Sequence, residues 1–340
     1  MSSADKSSGD KKITGWASED GSFKRQSSSF RDVIEKGGKF EPEKGRYHLY
    51  VCLACPWAHR ALIVRELKGL QDYIDVSTVH PHMLEGGWHF VSPSNASKEP
   101  APVSEHSTDT FPGATADKLY GSAYMSDLYY KADKDYNARF TVPVIWDKKG
   151  ETIVSNESSE VIRFLNTGFN DSLSGKEKEL DLYPQELRAE IDELNEWVYN
   201  DVNNGVYKSG FATKQDAYET AVNKLEAALK KLEERLSDGR EFLVGGRLTE
   251  ADIRLYTTIV RFDPVYHGHF KCNFGTIRHD FPKLNLWLRR LYWNNPAFKN
   301  TTDFAHIKEH YYYSHAQINP TRIVPVGPHP DIEPLDKDSK

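Results

Sequence analysis

Cysteine is scarce in this chain, with three among 340 residues. That number excludes a disulfide framework and fits a reducing compartment in which a thiol is kept for chemistry. Positive charge is short as well: 44 Lys and Arg stand against 50 Asp and Glu, a net charge of −6 with both signs interspersed. Without a basic stripe or a DNA-binding motif, nucleic acid is not an expected partner. No apolar run approaches the roughly 20 residues that span a bilayer, and the start MSSADKSSGDKK lacks the apolar core of a signal peptide. No membrane partner is expected, and the reading is a soluble, cytoplasmic protein. Neither a Walker loop nor GxGxxG occurs, so no nucleotide cofactor is indicated. Aromatic side chains are abundant, at 12% with 18 tyrosines. Most belong in a core, but surplus tyrosine also suits an aromatic ligand site.

The run from Tyr47 to Arg60 reads YHLYVCLACPWAHR, a strand-like stretch that breaks at a cysteine and turns into a helix. It places the Cys55 thiol on a helix N-terminus, where unpaired N–H groups and about half a positive charge stabilise an anion. Such sites lower a cysteine pKa from about 8.5 to between about 3.5 and 7.5, and the thiolate is the reactive form. Pro56 fits the first helical position. The bland alternative is a small buried hydrophobe. His59 and Arg60, one turn on, either add positive potential or point outward into solvent.

The order of elements gives the organisation. A strand (Tyr47 to Leu53), a helix (Pro56 to Lys68) and a strand (Asp75 to His80) form a βαβ unit with a parallel pair. Residues Pro81 to Arg139 are irregular in composition and too long for an ordinary connection, so they read as an insertion or lid. Thr141 to Asp147 and Glu151 to Ser155 read as strands joined by a hairpin at Lys148-Lys149-Gly150, followed by a helix from Glu157 to Asn166. That order predicts an α/β thioredoxin-like N-terminal domain. After Tyr183-Pro184 the pattern becomes helical. Tyr218, Ala221, Val222, Leu225, Ala228, Leu229, Leu232 and Leu236 share one face of a helix between Thr213 and Gly239. Gln185 to Asn204, Glu250 to Phe262, Lys283 to Asn294 and Asp303 to Ser314 also read as helices, which predicts an all-α C-terminal domain. Thr249-Glu250-Ala251-Asp252 has the form of a capping box. The expected divisions are 1–40 as a partly disordered extension without chemistry, 41–170 with insertion 81–139, 184–316 as the helical domain, and 317–340 as an extended Pro-rich tail.

A thioredoxin-like half before a helical half, with Leu248-Thr249-Glu250-Ala251-Asp252-Ile253 and Pro282-Lys283-Leu284-Asn285-Leu286-Trp287, resembles the cytosolic glutathione transferases. Cys55-Pro56-Trp57-Ala58-His59-Arg60, Gly86-Gly87-Trp88, Ser155-Asn156-Glu157-Ser158-Ser159-Glu160, Asn203-Asn204-Gly205-Val206-Tyr207 and Arg261-Phe262-Asp263 narrow the resemblance. Together they are similar to the glutathionyl-hydroquinone reductases, the Xi class, from about Trp16 to Pro328.

The resemblance implies the glutathione transferase fold, glutathione as substrate and co-substrate, glutathionylated aromatic molecules as partners, and a homodimer. It implies that Cys55 forms a mixed disulfide with glutathione. The hydroquinone leaves as that disulfide forms, and a second glutathione then resolves it, releasing glutathione disulfide. It assigns glutathione binding to Trp88, Val142, Pro143, Glu157 and Ser158, with a cis Val142-Pro143 bond and Glu157-Ser158 gripping the γ-glutamyl end. The alternatives are a buried Trp88 anchor, an edge-strand proline and simple capping. It assigns the ring pocket to Tyr207, Tyr266 and Tyr311, with Tyr312 and Tyr313 as competitors for the last place. Cys52 departs from the family, where a hydroxyl residue is usual, and reads as a buried spectator or an oxidative trap for Cys55. Two groupings, His267, His269 and Cys272, and His306, His310 and His315, lack zinc spacing, so no metal is expected. The rival functions are an omega-like thioltransferase or dehydroascorbate reductase, and a non-catalytic binding or assembly protein.

Overall fold

Burial on both faces explains why the central strand, β1 (Tyr47–Val51), shows no alternation of apolar and polar residues. The computed structural model describes residues 21–23, 26–92 and 110–336. β1 pairs in parallel with β2 (Ile74–Thr78) and antiparallel with β3 (Val144–Asp147), which pairs with β4 (Thr152–Ser155). The sheet order is β2-β1-β3-β4. α1 (Pro56–Leu67) is the βαβ crossover, and α3 (Ser158–Thr167) packs beside it. The β3–β4 hairpin forms around Asp147. Its carboxylate accepts the N–H groups of Lys149 and Gly150 and a two-bond fork from Arg46.

The stretch from Pro81 to Arg139 is not an irregular insertion throughout. It contains α2 (Met125–Ala132), whose Met125, Leu128 and Tyr129 are buried. The Asp127 carboxylate caps that helix by accepting the N–H groups of Ala123 and Tyr124. Met83, Trp88, Phe90 and Phe111 of the same stretch are also buried. Residues 93–109 of the expected lid lie outside the described residues, as do 1–20 and 24–25 of the expected extension.

The second half is helical. After α4 (Gly175–Glu179), α5 (Arg188–Trp197) continues as a π-turn, Val198–Asn203, into α6 (Gly205–Gly210). α7 (Gln215–Arg235) buries Ala221, Leu225, Ala228, Leu229 and Leu232 of the expected face. Every residue of α8 (Glu250–Ile259) is buried, which makes it the central helix of this half. Beyond a second π-turn, Phe262–Tyr266, come α9 (Ile277–Asp280), α10 (Pro282–Asn294), α11 (Pro296–Asn300) and α12 (Phe304–Ser314). α1 packs against both α8 and α11, so the helix that starts at Cys55 lies between the two halves. No helix among the described residues is long and apolar enough to cross a membrane. The tail is tied down: Ile332 is buried, and the Trp293 indole and Arg289 donate to the Glu333 carbonyl.

The Thr249–Asp252 cap reaches further than its own helix. The Asp252 carboxylate accepts the Thr249 N–H at 3.0 Å, the Leu243 N–H at 2.9 Å and the Trp287 indole at 3.1 Å. It therefore joins the preceding loop, α8 and α10. Asp252→Ala leaves those buried donors without an acceptor and is expected to cost about 3 kcal/mol or more in urea unfolding. Burial pushes this carboxyl up to about 6, against the donors that pull it down. The native state therefore holds a proton that the unfolded chain loses near pH 4. The contribution is fully present below about pH 4 and is lost as pH rises through about 6. The urea midpoint of the wild type relative to Asp252→Asn should accordingly fall as pH rises over that range.

Candidate active site

β1 ends at Val51, earlier than the apolar run suggests, because the chain turns at once. The Cys55 N–H donates to the Cys52 carbonyl at 3.0 Å, and Cys55 becomes the N-cap of α1 with Pro56 next. The Cys55 thiol lies 3.5 Å from the Val142 carbonyl and is 9% exposed, on the wall of a cavity. Cys52 and Cys272 are fully buried, and burial pushes both thiols up. They are inert by comparison.

The turn is fixed from the helical half. The Arg261 guanidinium donates to the Ala54 carbonyl at 2.8 Å, the Leu53 carbonyl at 2.9 Å, the Thr257 carbonyl at 2.7 Å and His59 Nδ1 at 3.0 Å. His59 Nε2 then carries the ring proton and meets Thr301 Oγ1. Burial, and Arg261 beside it, hold this imidazole well below its ordinary value, so His59 is neutral. Arg60 is buried too, donating to Asn203 and lying 4.4 Å from the Trp57 ring centre. Neither residue faces solvent.

Two cavities adjoin beside this turn, sharing Trp57 and Val142. One, of about 930 Å³, is lined by Cys55, Trp88, Phe140, Tyr207 and His310. The other, of about 980 Å³, is lined by Pro143, Glu157, Ser158, Ser159 and Arg254. Trp57, Val142, Asn156 and residues 26–28 line both. The first is aromatic and the second polar.

In the polar cavity the Val142-Pro143 bond is cis, as expected. Glu157 is the N-cap of α3; its carboxylate accepts the Ser159 N–H and hydroxyl and the Ser28 hydroxyl. Burial alone would push this carboxyl up, but those donors and the charge of Arg60 hold it below the usual carboxylate value. It is an anion suited to an ammonium partner. Arg254, from α8, supplies the opposite charge, and its buried Nε has no acceptor among the described residues. Arg254 was not legible as a site residue, since only the folding of α8 against α3 brings it here. Ser28 was missed for the same reason. Residues 26–28, within the expected extension, line both cavities.

In the aromatic cavity only Tyr207 of the three expected tyrosines lines the wall. Its hydroxyl meets that of Tyr311 at 2.5 Å, which meets that of Tyr266 at 3.0 Å. Tyr266 and Tyr311 are fully buried behind it, and burial pushes both phenols well above the ordinary value. Tyr312 instead donates to the Pro264 carbonyl, and Tyr313 stacks on His82 at 3.5 Å. Trp88 lies in this cavity, 4.8 Å from the His310 ring, and does not line the polar one. Trp57, which lines both, is the indole at the polar side. His310 is a further wall residue missed in the sequence: its Nδ1–H donates to the Pro81 carbonyl at 2.7 Å, leaving Nε2 as an acceptor. Of the other histidines, His306 donates to the Pro112 carbonyl and His269 pairs with His315. No group of metal ligands occurs among the described residues.

Residues 54–167 match the family described as "Glutathione S-transferase, N-terminal domain", and residues 215–290 match "Glutathione S-transferase, C-terminal domain". The chain is 54% identical to "Glutathione S-transferase omega-like 2" of Schizosaccharomyces pombe, over 94% of this chain and 98% of that one. It is 49% identical to "Glutathionyl-hydroquinone reductase YqjG" of Escherichia coli, over 92% and 91%. The glutathione-bound structure of YqjG matches with a TM-score of 0.80 at 48% identity, covering 91% of this chain and 96% of that one. The crystal structure of the glutathione-S-transferase Xi from Phanerochaete chrysosporium matches with a TM-score of 0.88 at 57% identity, covering 94% and 97%.

Native alkylation tests the placement of the three thiols. Iodoacetamide at neutral pH should add one carbamidomethyl group, mapped to Cys55, with Cys52 and Cys272 reacting only after denaturation. A second native adduct in the intact mass would contradict the burial described.

Proposed function

The chain belongs to the glutathione transferase family, in its Xi class, and on that footing we propose that it reduces glutathionyl-hydroquinones to hydroquinones with glutathione as reductant. The observation that supports this most is that Cys55 stands on the wall of the aromatic cavity, 3.5 Å from the carbonyl of Val142, a residue that also lines the polar cavity. A conjugate of glutathione with a ring has the same two parts, joined at a sulfur. The polar cavity suits the peptide: Glu157 accepts from its amine, while Ser158, the N–H groups at the start of α3 and Arg254 hold carboxylate charge. The Val142 backbone, beside the Cys55 thiol, pairs with the cysteinyl unit. Trp88 covers the sulfur from the aromatic side.

Cys55 thiolate attacks the glutathione sulfur, forming the S–S bond of a mixed disulfide and breaking the sulfur–carbon bond. A bare aryl carbanion is a poor leaving group. When the ring carbon is first protonated to the keto tautomer, the bonding pair instead passes to the oxygen as an enolate, which is the hydroquinone once protonated. Tyr207 stands where it can donate to that oxygen. Its hydroxyl is backed by Tyr311 and Tyr266, whose protons stay on the phenols at neutral pH. A second glutathione attacks the mixed disulfide, releases glutathione disulfide and restores the thiolate. The sum is one conjugate and one glutathione giving hydroquinone and glutathione disulfide. A homodimer and a cytoplasmic setting belong to the same proposal, and light scattering checks the first.

Cys55→Ser should lose turnover of glutathionyl-menadiol by roughly 10³-fold or more and should no longer gain the glutathione mass. Retained turnover would remove Cys55 from the mechanism. Tyr311→Phe should slow that substrate about 10- to 100-fold, from loss of one hydrogen bond at the developing charge. Its rate on a small glutathione mixed disulfide should stay unchanged. Equal losses on both substrates would favour a thioltransferase that does not use the tyrosines.

A further inference from the structure

The guanidinium under the catalytic turn is a buried charge without a counter-charge. Arg261 is fully buried, and four of its five N–H groups end on three carbonyls and one imidazole, all neutral acceptors. No carboxylate among the described residues forms an ion pair with it. Removing a cation from water without a paired anion is costly, and carbonyl dipoles offset only part of that cost. Such an arrangement favours any nearby group that can become an anion.

The titratable groups around Arg261 can be taken element by element. On the turn, burial keeps Cys52 as a thiol; on α1, His59 is neutral. On α8, burial pushes Tyr256 up, and on the following π-turn it does the same to Tyr266. On α12, Tyr311 is pushed up and the His310 imidazole is pushed down to about 4. His315, beside them, is held well below its ordinary value. All are uncharged at neutral pH. The carboxylates on these elements are engaged elsewhere: Asp263 of the π-turn pairs with Arg278 at 3.2 Å, Glu250 of α8 with Arg163, and Glu309 of α12 meets His82 at 2.8 Å. Cys55 is the ionisable group of this turn that reaches the cavity wall, and it follows directly on the Ala54 carbonyl that Arg261 holds.

We propose that Arg261 is the positioning residue that makes Cys55 a thiolate, so that the helical half supplies the charge that activates a nucleophile carried by the other half. This rests on the reading of Cys55 as nucleophile. The helix N-terminus and Arg261 act together: α1 presents N–H groups at its start, and the guanidinium, locked on the two carbonyls that precede Cys55, presents a full charge that cannot be deprotonated.

The test is the pH dependence of Cys55 alkylation by iodoacetamide, followed by intact mass on the full chain. In the wild type the midpoint should lie below the ordinary thiol value of about 8.5. Arg261→Gln should raise it by about one unit, which is about tenfold less thiolate at any pH below both midpoints. Arg261→Lys loses the fork but keeps the charge, and its midpoint should remain near that of the wild type. A second pair leaves Arg261 intact: His59→Glu supplies the missing anion and should raise the midpoint by about one unit over His59→Gln, its neutral control. A purely structural role would shift Arg261→Gln and Arg261→Lys alike and leave the His59 variants equal; either result overturns the proposal. Should Arg261→Gln fail to fold, the His59 pair decides. A wild-type midpoint at the ordinary thiol value would overturn the nucleophile reading together with this one. A depressed wild-type midpoint that neither Arg261→Gln nor His59→Glu moves would overturn this one alone.

Discussion

The structure turns on one buried side chain that belongs to one half and is satisfied by the other. Arg261 reaches from the end of the central helix to the carbonyls of Leu53 and Ala54, residues more than 200 positions away in sequence. Those carbonyls form the bend that stops β1 and starts α1. Without an acceptor set in that bend the guanidinium would be stranded in a dry interior, and without the guanidinium the bend would lose two of its hydrogen bonds. The seam between the halves is therefore polar and directional at its centre. Arg163 to Glu250, and Arg60 to Asn203, add further bonds across it. Apolar packing can slide, whereas a fork of hydrogen bonds specifies one register.

From that register the two-part cavity follows. The start of α1, the start of α3 and the Val142-Pro143 loop all converge at the edge of the sheet where β1 ends and β3 begins, and α8 and α12 close over them. The polar part is built mainly from helix beginnings and opposite charges. The aromatic part is lined by Trp88, Phe140, Tyr207 of α6 and His310 of α12, with Tyr266 of the second π-turn buried behind Tyr207. The phenols are arranged in file: one hydroxyl touches the cavity, and two behind it are too deeply buried to ionise on their own. A charge that develops on a bound oxygen is thereby met by a short chain of polarisable O–H groups with no water between them.

Much of this was legible in the sequence where the signal is local. A strand running into Cys-Pro, a Thr-x-x-Asp before an apolar run, and the apolar face of α7 each carry their meaning within a few residues. The cysteine turn, the capping box and the helical half could be read for that reason. What escaped reading was long-range. α2 lies in a stretch whose Ser, Pro and Gly content resembles a loop, and its fold comes from packing Met125, Leu128 and Tyr129 under the sheet. Ser28 bonds Glu157 across 129 positions. His59 and Arg60 look like solvent-facing residues in a helix of mixed composition, yet both are buried because α1 has neighbours on both sides. Arg254 and His310 carry no motif of their own. Their roles depend on which helix faces which cavity, a property of the assembled fold and not of any window of sequence.

The burial of α1 between the two halves has a consequence for the protein's biosynthesis. The N-terminal half emerges from the ribosome first, with Cys52 and Cys55, before the helical half that covers them. A nucleophile activated by local sequence alone would be exposed at that stage. On the role proposed for Arg261, the positive end of α1 and the buried guanidinium act together only after α8 has docked, so the sulfur gains its full reactivity late in folding. On that proposal, a copy that stalls halfway lacks the guanidinium's share of the activation, and a copy whose halves separate loses it again. Reactivity thus serves as an internal marker of completed assembly.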